Sequence, residues 1–191
     1  MVRYFSDASN SRVYEKSFLN DHQGLYSLLN NLSEYRRKII LFGLSFALLD
    51  FVKCFKVDLE NLIVIETGGM KNSNQEIDKD TLLHQLKLGF PKAVIHSEYG
   101  MTELISQAYS KDGTHYTAAP LMKFLITDPT DPTIHLTPGK RGIINVIDLG
   151  NLHTCSFLQT GDLGILNEQL QLEVLGRFKP EEVRGCVQMY E

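Results

Sequence analysis

Short apolar runs alternate with segments of helical periodicity over the first part of the chain. The runs "KIILF" (38–42), "NLIVIETGG" (61–69) and "KAVI" (92–95) are too short for helices and show no regular polar alternation. Between the first two runs, apolar residues recur at helical spacing: Leu44, Leu48, Phe51, Val52 and Phe55. The segment "DKDTLLHQLKLGF" (78–90) has the same periodicity. This order is typical of a parallel sheet covered by helices on both faces, so we predict an α/β fold with flanking helices over residues 36–115.

The flanking regions differ from this pattern. After Asp21, a candidate N-cap, "HQGLYSLLNNLSEYRRK" predicts a further amphipathic helix. Four strand-like runs without an intervening helix follow later in the chain, at residues 121–127, 141–149, 154–160 and 170–177. We therefore predict one domain: an irregular lead-in at 1–20, an α/β part at 21–115 and a β-rich, antiparallel part at 116–191 that packs beside it.

Composition excludes several functional classes. The 191 residues carry a net charge of −4 without a Lys/Arg block, which argues against nucleic-acid binding. No apolar run approaches the roughly 18 residues of a membrane span, and the polar start lacks the core of a signal peptide. We therefore expect a cytoplasmic protein. The six histidines and three cysteines show neither metal-site nor disulfide spacing.

Two strand ends carry candidate site residues, since open parallel sheets bind ligands beyond the carboxyl ends of their strands. In "ETGGMK", Gly68 and Gly69 would let the backbone approach a flat ligand, although a lone Gly-Gly pair is more often an ordinary turn. In "SEYGMTE", Tyr99 offers an aromatic face and Gly100 a tight turn.

The same stretch continues with a hydroxyl and a carboxylate. Thr102 could contact a phosphate oxygen, and Glu103 is a hard anionic ligand suited to Mg²⁺. If residues 101–109 form a helix, both lie in its first turn, where free N–H groups favour anions. The alternative is that Thr102 or Ser97 only caps this helix and Glu103 complements its dipole.

Two later motifs add to this set. "QTGDLG" presents Asp162, suited to accept hydrogen bonds from a diol such as ribose, and "VLGRFKPEEVRGC" presents Arg177 and Arg184. Each motif alone is common. Their order, Gly-Gly, Tyr-Gly-x-Thr-Glu, Thr-Gly-Asp and Gly-Arg, resembles the adenylate-forming superfamily. Several sequence segments, among them "SEYGMTELISQAYS", "INVIDLGNLHTCSF" and "EVLGRFKPEEVRGC", resemble the LuxE-type acyl-protein synthetases. This resemblance extends from about Leu41 to the C-terminus.

The resemblance implies a role for each candidate. Gly68 and Gly69 would line the adenine and acyl-phosphate pocket, and Tyr99, followed by Gly100, would pack on adenine. Thr102 would touch the α-phosphate and Glu103 would hold Mg²⁺. Asp162 would bind the ribose hydroxyls, with Arg177 close to ribose and phosphates. The cofactors implied are ATP and Mg²⁺, and the implied reaction converts a carboxylic acid into an acyl-adenylate.

In this family the acyl group then passes to a protein cysteine. Cys186, near Arg184 and the C-terminus, is the candidate acceptor, with a purely structural role as the alternative. Cys54 and Cys155 are expected in the core. The implied partners are a fatty acid or other carboxylic acid and an acyl-accepting protein of the reductase type, and homo-oligomer formation is left open.

The sequence also departs from the family pattern. Adenylate-forming enzymes carry a Ser/Thr/Gly-rich loop around the terminal phosphates, and no such cluster occurs in these residues. We therefore interpret the chain as the C-terminal part of a LuxE-type protein. Whether this part is active by itself is an open question. A non-catalytic nucleotide- or acyl-binding module, or an α/β domain whose glycines are simple turns, are the alternatives.

Overall fold

One mixed sheet of nine strands runs through the computed structural model, which describes residues 18, 20–34, 37–68 and 77–178. The helices are α1 (His22–Leu32), α2 (Ser45–Cys54) and α3 (Lys79–Gly89), with a short 3₁₀ turn at Leu149–Asn151. The strands are β1 (Ile39–Leu44), β2 (Leu62–Thr67), β3 (Val94–Tyr99), β4 (Ala108–Ser110), β5 (His115–Ala118), β6 (Met122–Thr127), β7 (Gly142–Asp148), β8 (Phe157–Leu166) and β9 (Leu172–Arg177).

The strand order is β1-β2-β3-β4-β5-β9-β8-β7-β6. The first three strands are parallel, with α2 and α3 as their connections, and every later pairing is antiparallel. The predicted fold class, a parallel α/β part followed by an antiparallel β-rich part, is confirmed. The antiparallel strands extend the same sheet edge to edge, however, and do not form a separate body beside it.

The helices α1 and α3 each begin after an aspartate whose side chain caps them. The Asp21 carboxylate accepts a hydrogen bond from the Gly24 N–H at 2.9 Å and so caps α1, as predicted. Asp78 caps α3 in the same way through the Thr81 N–H. The buried faces of the three helices pack with the inner face of β2 in one apolar cluster that includes Leu29, Leu48, Phe51, Leu62, Val64, Leu86 and Phe90.

The prediction of helices on both faces of the parallel strands is wrong for the described residues. The apolar faces of α1, α2 and α3 share a single cluster on one side of the sheet. On the other side, Ile40, Phe42 and Val94 are 56%, 54% and 47% exposed. Uninterrupted apolar strands indicate that both faces prefer to be covered, but they do not show which chain segment covers them.

A second apolar cluster lies under the antiparallel strands, and it explains an error in the prediction for residues 101–109. Leu104 and Ala108 are both buried in this cluster, and their spacing of four residues mimics a helical face. The segment instead forms a turn closed by the Leu104 N–H on the Met101 carbonyl oxygen at 3.1 Å, and β4 starts at Ala108. Pairing of β4 with β3 overrides the local helical pattern.

β5 is joined to the rest of the sheet in an unusual way. It pairs on one side with β4 and on the other with β9, which follows it only after more than fifty residues. The β5–β9 ladder has two residue pairs, His115 with Glu173 and Tyr116 with Leu172. The sheet is continuous, but this joint is narrow.

Within the part of the chain that the structure describes, no helix is long and apolar enough to cross a membrane.

Candidate functional site

Three residues that the sequence analysis assigned to nucleotide binding form one cluster. Tyr99 is the last residue of β3, and its hydroxyl donates to Asp162 Oδ2 at 3.0 Å. Arg177, at the end of β9, places Nε 3.1 Å from Asp162 Oδ1. The structure therefore brings Tyr99 into contact with a side chain that lies 63 positions away in the sequence.

The contact between Tyr99 and Asp162 also reveals the curvature of the sheet. In sheet order, four strand-to-strand steps separate β3 from β8. In a flat sheet those steps would place the strands about 19 Å apart, at roughly 4.8 Å per step. The observed contact of 3.0 Å requires the antiparallel half to curl back over the end of β3. Apolar packing supports the curl, because the Tyr99 ring meets Tyr116 and Phe124 edge to face.

Strand pairing fixes the position of the Asp162 carboxylate. Asp162 lies opposite Arg177 in the β8–β9 ladder, next to an irregularity in register between Leu163 and Gly164. Its N–H donates to Thr160 Oγ1 at 3.0 Å. The carboxylate is buried, whereas the side chain of Arg177 is 55% exposed. Each carboxylate oxygen has two lone pairs, so both retain the capacity to accept a further hydrogen bond.

The protonation state of Tyr99 follows from its surroundings. Burial, together with the charge of the Asp162 carboxylate, raises the pKa of the Tyr99 hydroxyl above its usual range. The hydroxyl is therefore a proton donor to Asp162 at neutral pH. This hydrogen bond fixes the direction of the ring, which the resemblance assigns to adenine packing.

Thr102 and Glu103 are the two central residues of the turn between Met101 and Leu104. Both are exposed, and neither side chain has a hydrogen-bond partner among the residues that the structure describes. No helix begins at this turn, so its N–H groups do not form the anion-binding arrangement of a helix N-terminus. The capping alternative is wrong as well, since Ser97 lies inside β3 with a buried hydroxyl that has no partner in the described residues.

The back of this turn is held by Asp148, a residue that the sequence analysis missed. Its fully buried carboxylate accepts from the N–H groups of Ile105 at 2.9 Å and Ser106 at 2.8 Å. It also accepts from Ser106 Oγ at 2.6 Å and from the Gly150 N–H at 3.0 Å. Burial would raise the pKa of Asp148, but these donors outweigh it and hold the pKa below its usual value.

Asn151 holds the same turn at a second point. Its Nδ2 donates to the main-chain carbonyl oxygen of Glu103 at 2.7 Å and to that of Cys155 at 2.9 Å. Thr154 donates in turn to the amide oxygen of Asn151. The signal for Asp148 and Asn151 was "DLGN" after a strand, which indicates a local turn. It does not reveal partners more than forty residues away.

The carboxyl end of β2 lies beside that of β3. Register pairs Glu66 with Ser97, and the Thr67 hydroxyl donates to Glu98 at 2.9 Å. Gly68 follows with a φ of +69°, a conformation that favours glycine and that an ordinary turn also explains. The close approach of a flat ligand to this backbone stays a prediction. Gly69, the other member of the predicted pair, lies outside the described residues.

Two buried polar contacts hold the end of β2 against the helices. The Ser45 hydroxyl donates to the buried carboxylate of Glu66 at 2.7 Å, and Lys79, at the start of α3, forms an ion pair with the same group. The polar character of "IET" at the strand end is thus partly structural.

Gly100 leaves room for the amide of Gln107. A Cβ at this position would lie 1.4 Å from the Oε1 atom of Gln107, so a larger residue here would have to displace the end of that side chain. That oxygen is buried and has no hydrogen-bond partner in the described part of the chain. Gly100 therefore lets the chain leading into β4 lie against the end of β3.

The cysteines differ from expectation. Cys186 and Arg184 lie outside the described residues. Cys54 and Cys155, both expected in the core, are exposed, so that prediction is wrong. Cys54 ends α2, beyond its buried face, and Cys155 precedes β8, where its thiol donates to the Phe157 carbonyl oxygen at 3.1 Å.

A multi-residue metal site is absent from the described residues: no three His, Cys, Asp or Glu side chains converge in them. Mg²⁺ in nucleotide-using enzymes is held by one or two carboxylates together with substrate phosphates. A single exposed carboxylate such as Glu103 fits that requirement, whereas a cation such as Zn²⁺ would need more protein ligands.

Solved structures of adenylate-forming enzymes share this fold. An O-succinylbenzoate coenzyme A synthetase from Bacillus subtilis, in complex with ATP and magnesium ion, gives a TM-score of 0.62 at 19% identity, over 82% of this chain and 34% of that one. A long-chain-fatty-acid–CoA ligase from Archaeoglobus fulgidus gives 0.61 at 16% identity, over 88% and 39%. ATP-bound MatB from Rhodopseudomonas palustris gives 0.61 at 19% identity, over 82% and 33%. The chain spans only about a third of the length of these structures.

Sequence comparison points to one family. No curated protein sequence matches the chain significantly. Residues 3–191, however, match the family described as "Acyl-protein synthetase, LuxE", which confirms the resemblance carried by the ordered motifs. Because this match includes nearly every residue, the chain belongs to the LuxE family of acyl-protein synthetases.

Proposed function

We propose that this chain carries the nucleotide-binding part of an enzyme that uses ATP to activate a carboxylic acid as its acyl-adenylate. The observation that carries the proposal is the cluster of Tyr99, Asp162 and Arg177 at the end of β3. In the chain this cluster is followed at once by an exposed turn with a free hydroxyl and a free carboxylate. Membership of the LuxE family supports the same reaction.

The roles of the residues follow from their surroundings. Asp162 would accept hydrogen bonds from the ribose hydroxyls with its remaining lone pairs. Arg177, more than half exposed, is available for ribose and phosphate oxygens. Tyr99 would pack against adenine with the part of its ring that Tyr116 and Phe124 do not cover. Gly68, with Gly69, would let the backbone approach the adenine and the acyl-phosphate.

The chemistry brings two anions together. A carboxylate oxygen of the acid attacks the α-phosphorus of ATP, and the bond from that phosphorus to the bridging oxygen of pyrophosphate breaks. Thr102 would donate to an α-phosphate oxygen, and Glu103 would hold Mg²⁺. The bound Mg²⁺ would neutralise charge that builds up on the phosphate oxygens. A single well-placed donor of this kind is typically worth about 3–4 kcal/mol of barrier.

The second half of the proposed reaction moves the acyl group to a thiol. The thiolate of Cys186 would attack the acyl carbonyl carbon, a thioester would form and AMP would leave. Arg184, two residues away in sequence, would favour the thiolate through its charge. The proposed acid is a fatty acid, since the matched family is that of acyl-protein synthetases, and the final acceptor is an acyl-accepting protein of the reductase type.

Pyrophosphate exchange into ATP tests the first half-reaction. We expect exchange that depends on an added fatty acid and falls about a hundredfold in Glu103→Gln, because the charge that holds Mg²⁺ is lost. Glu168→Gln is the matched control, since Glu168 is also an exposed carboxylate in a turn. Exchange that is equally fast in both variants would contradict the site assignment. Binding of AMP without any exchange by the wild type would favour the non-catalytic module.

Labelling with a radioactive fatty acid and ATP tests the second half-reaction separately. We expect a label that hydroxylamine releases, as it does from a thioester. Cys186→Ser should abolish this label and leave pyrophosphate exchange unchanged. Cys155→Ser, at an exposed free thiol, should retain both. A label lost in Cys155→Ser and kept in Cys186→Ser would assign the acceptor to the other residue.

A further inference from the structure

The β7–β8 connection does more than join two strands, because its side chains form hydrogen bonds with the turn that carries Thr102 and Glu103. Below, these hydrogen bonds are called the grip on the turn. Asp148 ends β7, and Asn151 lies three residues later in the 3₁₀ turn. Both are buried, and both direct their polar atoms at the segment from Glu103 to Ser106. Every one of these contacts joins residues more than forty positions apart.

We propose that Asp148 is a positioning residue for the nucleotide site, holding the Thr102–Glu103 turn from behind through the N–H groups of Ile105 and Ser106. The inference rests on the function proposed above. Asp148 does not touch the nucleotide in this proposal. It acts through the backbone that presents Thr102 and Glu103.

The geometry makes the carboxylate hard to replace. One oxygen, Oδ2, accepts from the two successive N–H groups, and the other, Oδ1, accepts from the Ser106 hydroxyl and the Gly150 N–H. All of these partners donate. An amide in place of the carboxylate would keep one acceptor oxygen and present an NH₂ group to donors on its other side. Asp148→Asn is therefore a change of nearly equal size that weakens the grip.

Asn151 shows why the grip reaches the proposed metal ligand itself. Its amide holds the main-chain carbonyl oxygen of Glu103 at 2.7 Å, while the Glu103 side chain is exposed. The next residue, Leu104, is buried in the apolar cluster. The turn is thus anchored at Glu103, Leu104, Ile105 and Ser106, which leaves the two functional side chains directed away from the anchor.

Anchoring matters because the proposed reaction depends on placement. Misplacement by about 1 Å at a reacting centre costs on the order of a hundredfold in rate. An internal carboxylate uses the N–H groups of Ile105 and Ser106, so these two groups are not available to a phosphate.

The experiment compares Asp148→Asn with the wild type in the full chain, by two independent measurements. The rate of amide hydrogen exchange at Ile105 and Ser106 reports whether their hydrogen bonds to residue 148 persist. We expect this rate to be at least about tenfold higher in the variant. The concentration of Mg²⁺ that half-saturates ATP binding reports the site. We expect it to rise about tenfold, because a mobile Glu103 holds the cation less well.

A matched control separates positioning from general damage. Asp112 also accepts from two N–H groups and a hydroxyl, but all of them lie within three residues of it, in the hairpin of β4 and β5. Asp112→Asn should leave the Mg²⁺ dependence unchanged. Ser106→Ala, which removes one of the four donors of Asp148, should shift Mg²⁺ dependence in the same direction by a smaller factor and keeps the test usable if Asp148→Asn folds poorly.

The outcomes are distinguishable. A purely structural role would lower the fraction of protein that binds Mg-ATP without changing the half-saturating Mg²⁺ concentration, and that result overturns the proposal. Unchanged hydrogen exchange at Ile105 and Ser106 overturns it as well. Failure of the wild type to bind Mg-ATP would overturn the proposed function and the role of Asp148 at the site, while hydrogen exchange would still report the grip on the turn.

Discussion

Asp148 and Asp162 are both buried, lie on neighbouring strands and belong to the same half of the sheet, yet they are partnered in opposite ways. Asp148 receives backbone N–H groups and one serine hydroxyl, all held by the fold. Asp162 accepts a hydrogen bond from the hydroxyl of Tyr99 and forms an ion pair with the exposed Arg177. A carboxylate with backbone partners can only fix the chain around it. A carboxylate whose partners are side chains can exchange one of them for a ligand.

The comparison predicts first that Asp148 contributes far more to stability. Asp148→Ala leaves three N–H donors without their acceptor, and we expect the free energy of unfolding to fall by about 3 kcal/mol. Asp128→Ala is the control, because Asp128 accepts similar bonds from Thr130 and Asp131 at the exposed surface. There we expect about 0.5 kcal/mol. Urea unfolding measures both, and a larger loss at Asp128 would contradict the comparison.

Tyr99 is the more buried of the two side chains that contact Asp162, so its loss should have the next largest effect on stability. Tyr99→Phe removes one hydrogen bond to a buried carboxylate and keeps the ring in the aromatic cluster. We expect a loss of about 1.5 kcal/mol. The double variant with Asp162→Asn should lose less than the sum of the two single variants, because the residues are in contact. Strict additivity in urea unfolding would show that the contact contributes nothing.

Alkaline pH tests the same contact without a mutation. The pKa of Tyr99 is raised by burial and by Asp162, so the folded state keeps this proton after the unfolded state has lost it. Stability from this group is therefore complete below the unfolded pKa of roughly 10 and falls as pH rises beyond it. Between about pH 8 and pH 11 we expect a loss near 1 kcal/mol.

The variant Tyr99→Phe shows how much of the loss at alkaline pH comes from Tyr99. Tyr109, whose pKa is raised by burial and by Glu98, contributes in the same direction, so the wild-type profile contains both groups. The profile of Tyr99→Phe should be shallower than that of the wild type. A profile of unchanged slope would show that Tyr99 titrates normally.

The smallest effect on stability belongs to Arg177, because the ion pair of an exposed arginine is screened by water. We expect Arg177→Ala to cost about 0.5 kcal/mol, and this difference should vanish at high salt. The same variant should weaken ATP binding clearly, which is the pattern of a residue kept for a ligand. Equal and large effects on stability and binding would place Arg177 with Asp148 and remove the contrast.

Local patterns account for the elements that the sequence predicted well. The helix at 78–90 and the strand at 61–69 are marked by an N-cap, apolar periodicity and a terminal glycine, all of which act over a few residues. β4 and β5 were missed because three- and four-residue strands carry almost no pattern and exist through pairing with distant strands. The same pairing overruled the helical spacing of Leu104 and Ala108.

The site divides in the same way. Tyr99, Asp162 and Arg177 could be selected as candidates because motif order marks them, but their mutual contact depends on the curl of the sheet. Asp148 was missed because an aspartate two residues before a glycine looks like a local cap, which it also is. The assignments of Tyr99, Asp162 and Arg177 to nucleotide binding, and the single-domain description of the chain, stay predictions.

The narrow joint between β5 and β9 has a consequence for the order in which the molecule folds. Strands β6 to β9 follow one another as antiparallel neighbours and can pair with nearby residues, and β5 can pair locally with β4. The β5–β9 ladder, in contrast, closes a loop of more than fifty residues. The contact between Tyr99 and Asp162 spans that joint. We therefore expect this contact to form late in folding, and a fluorescent probe beside Tyr99 would time the docking of the two halves.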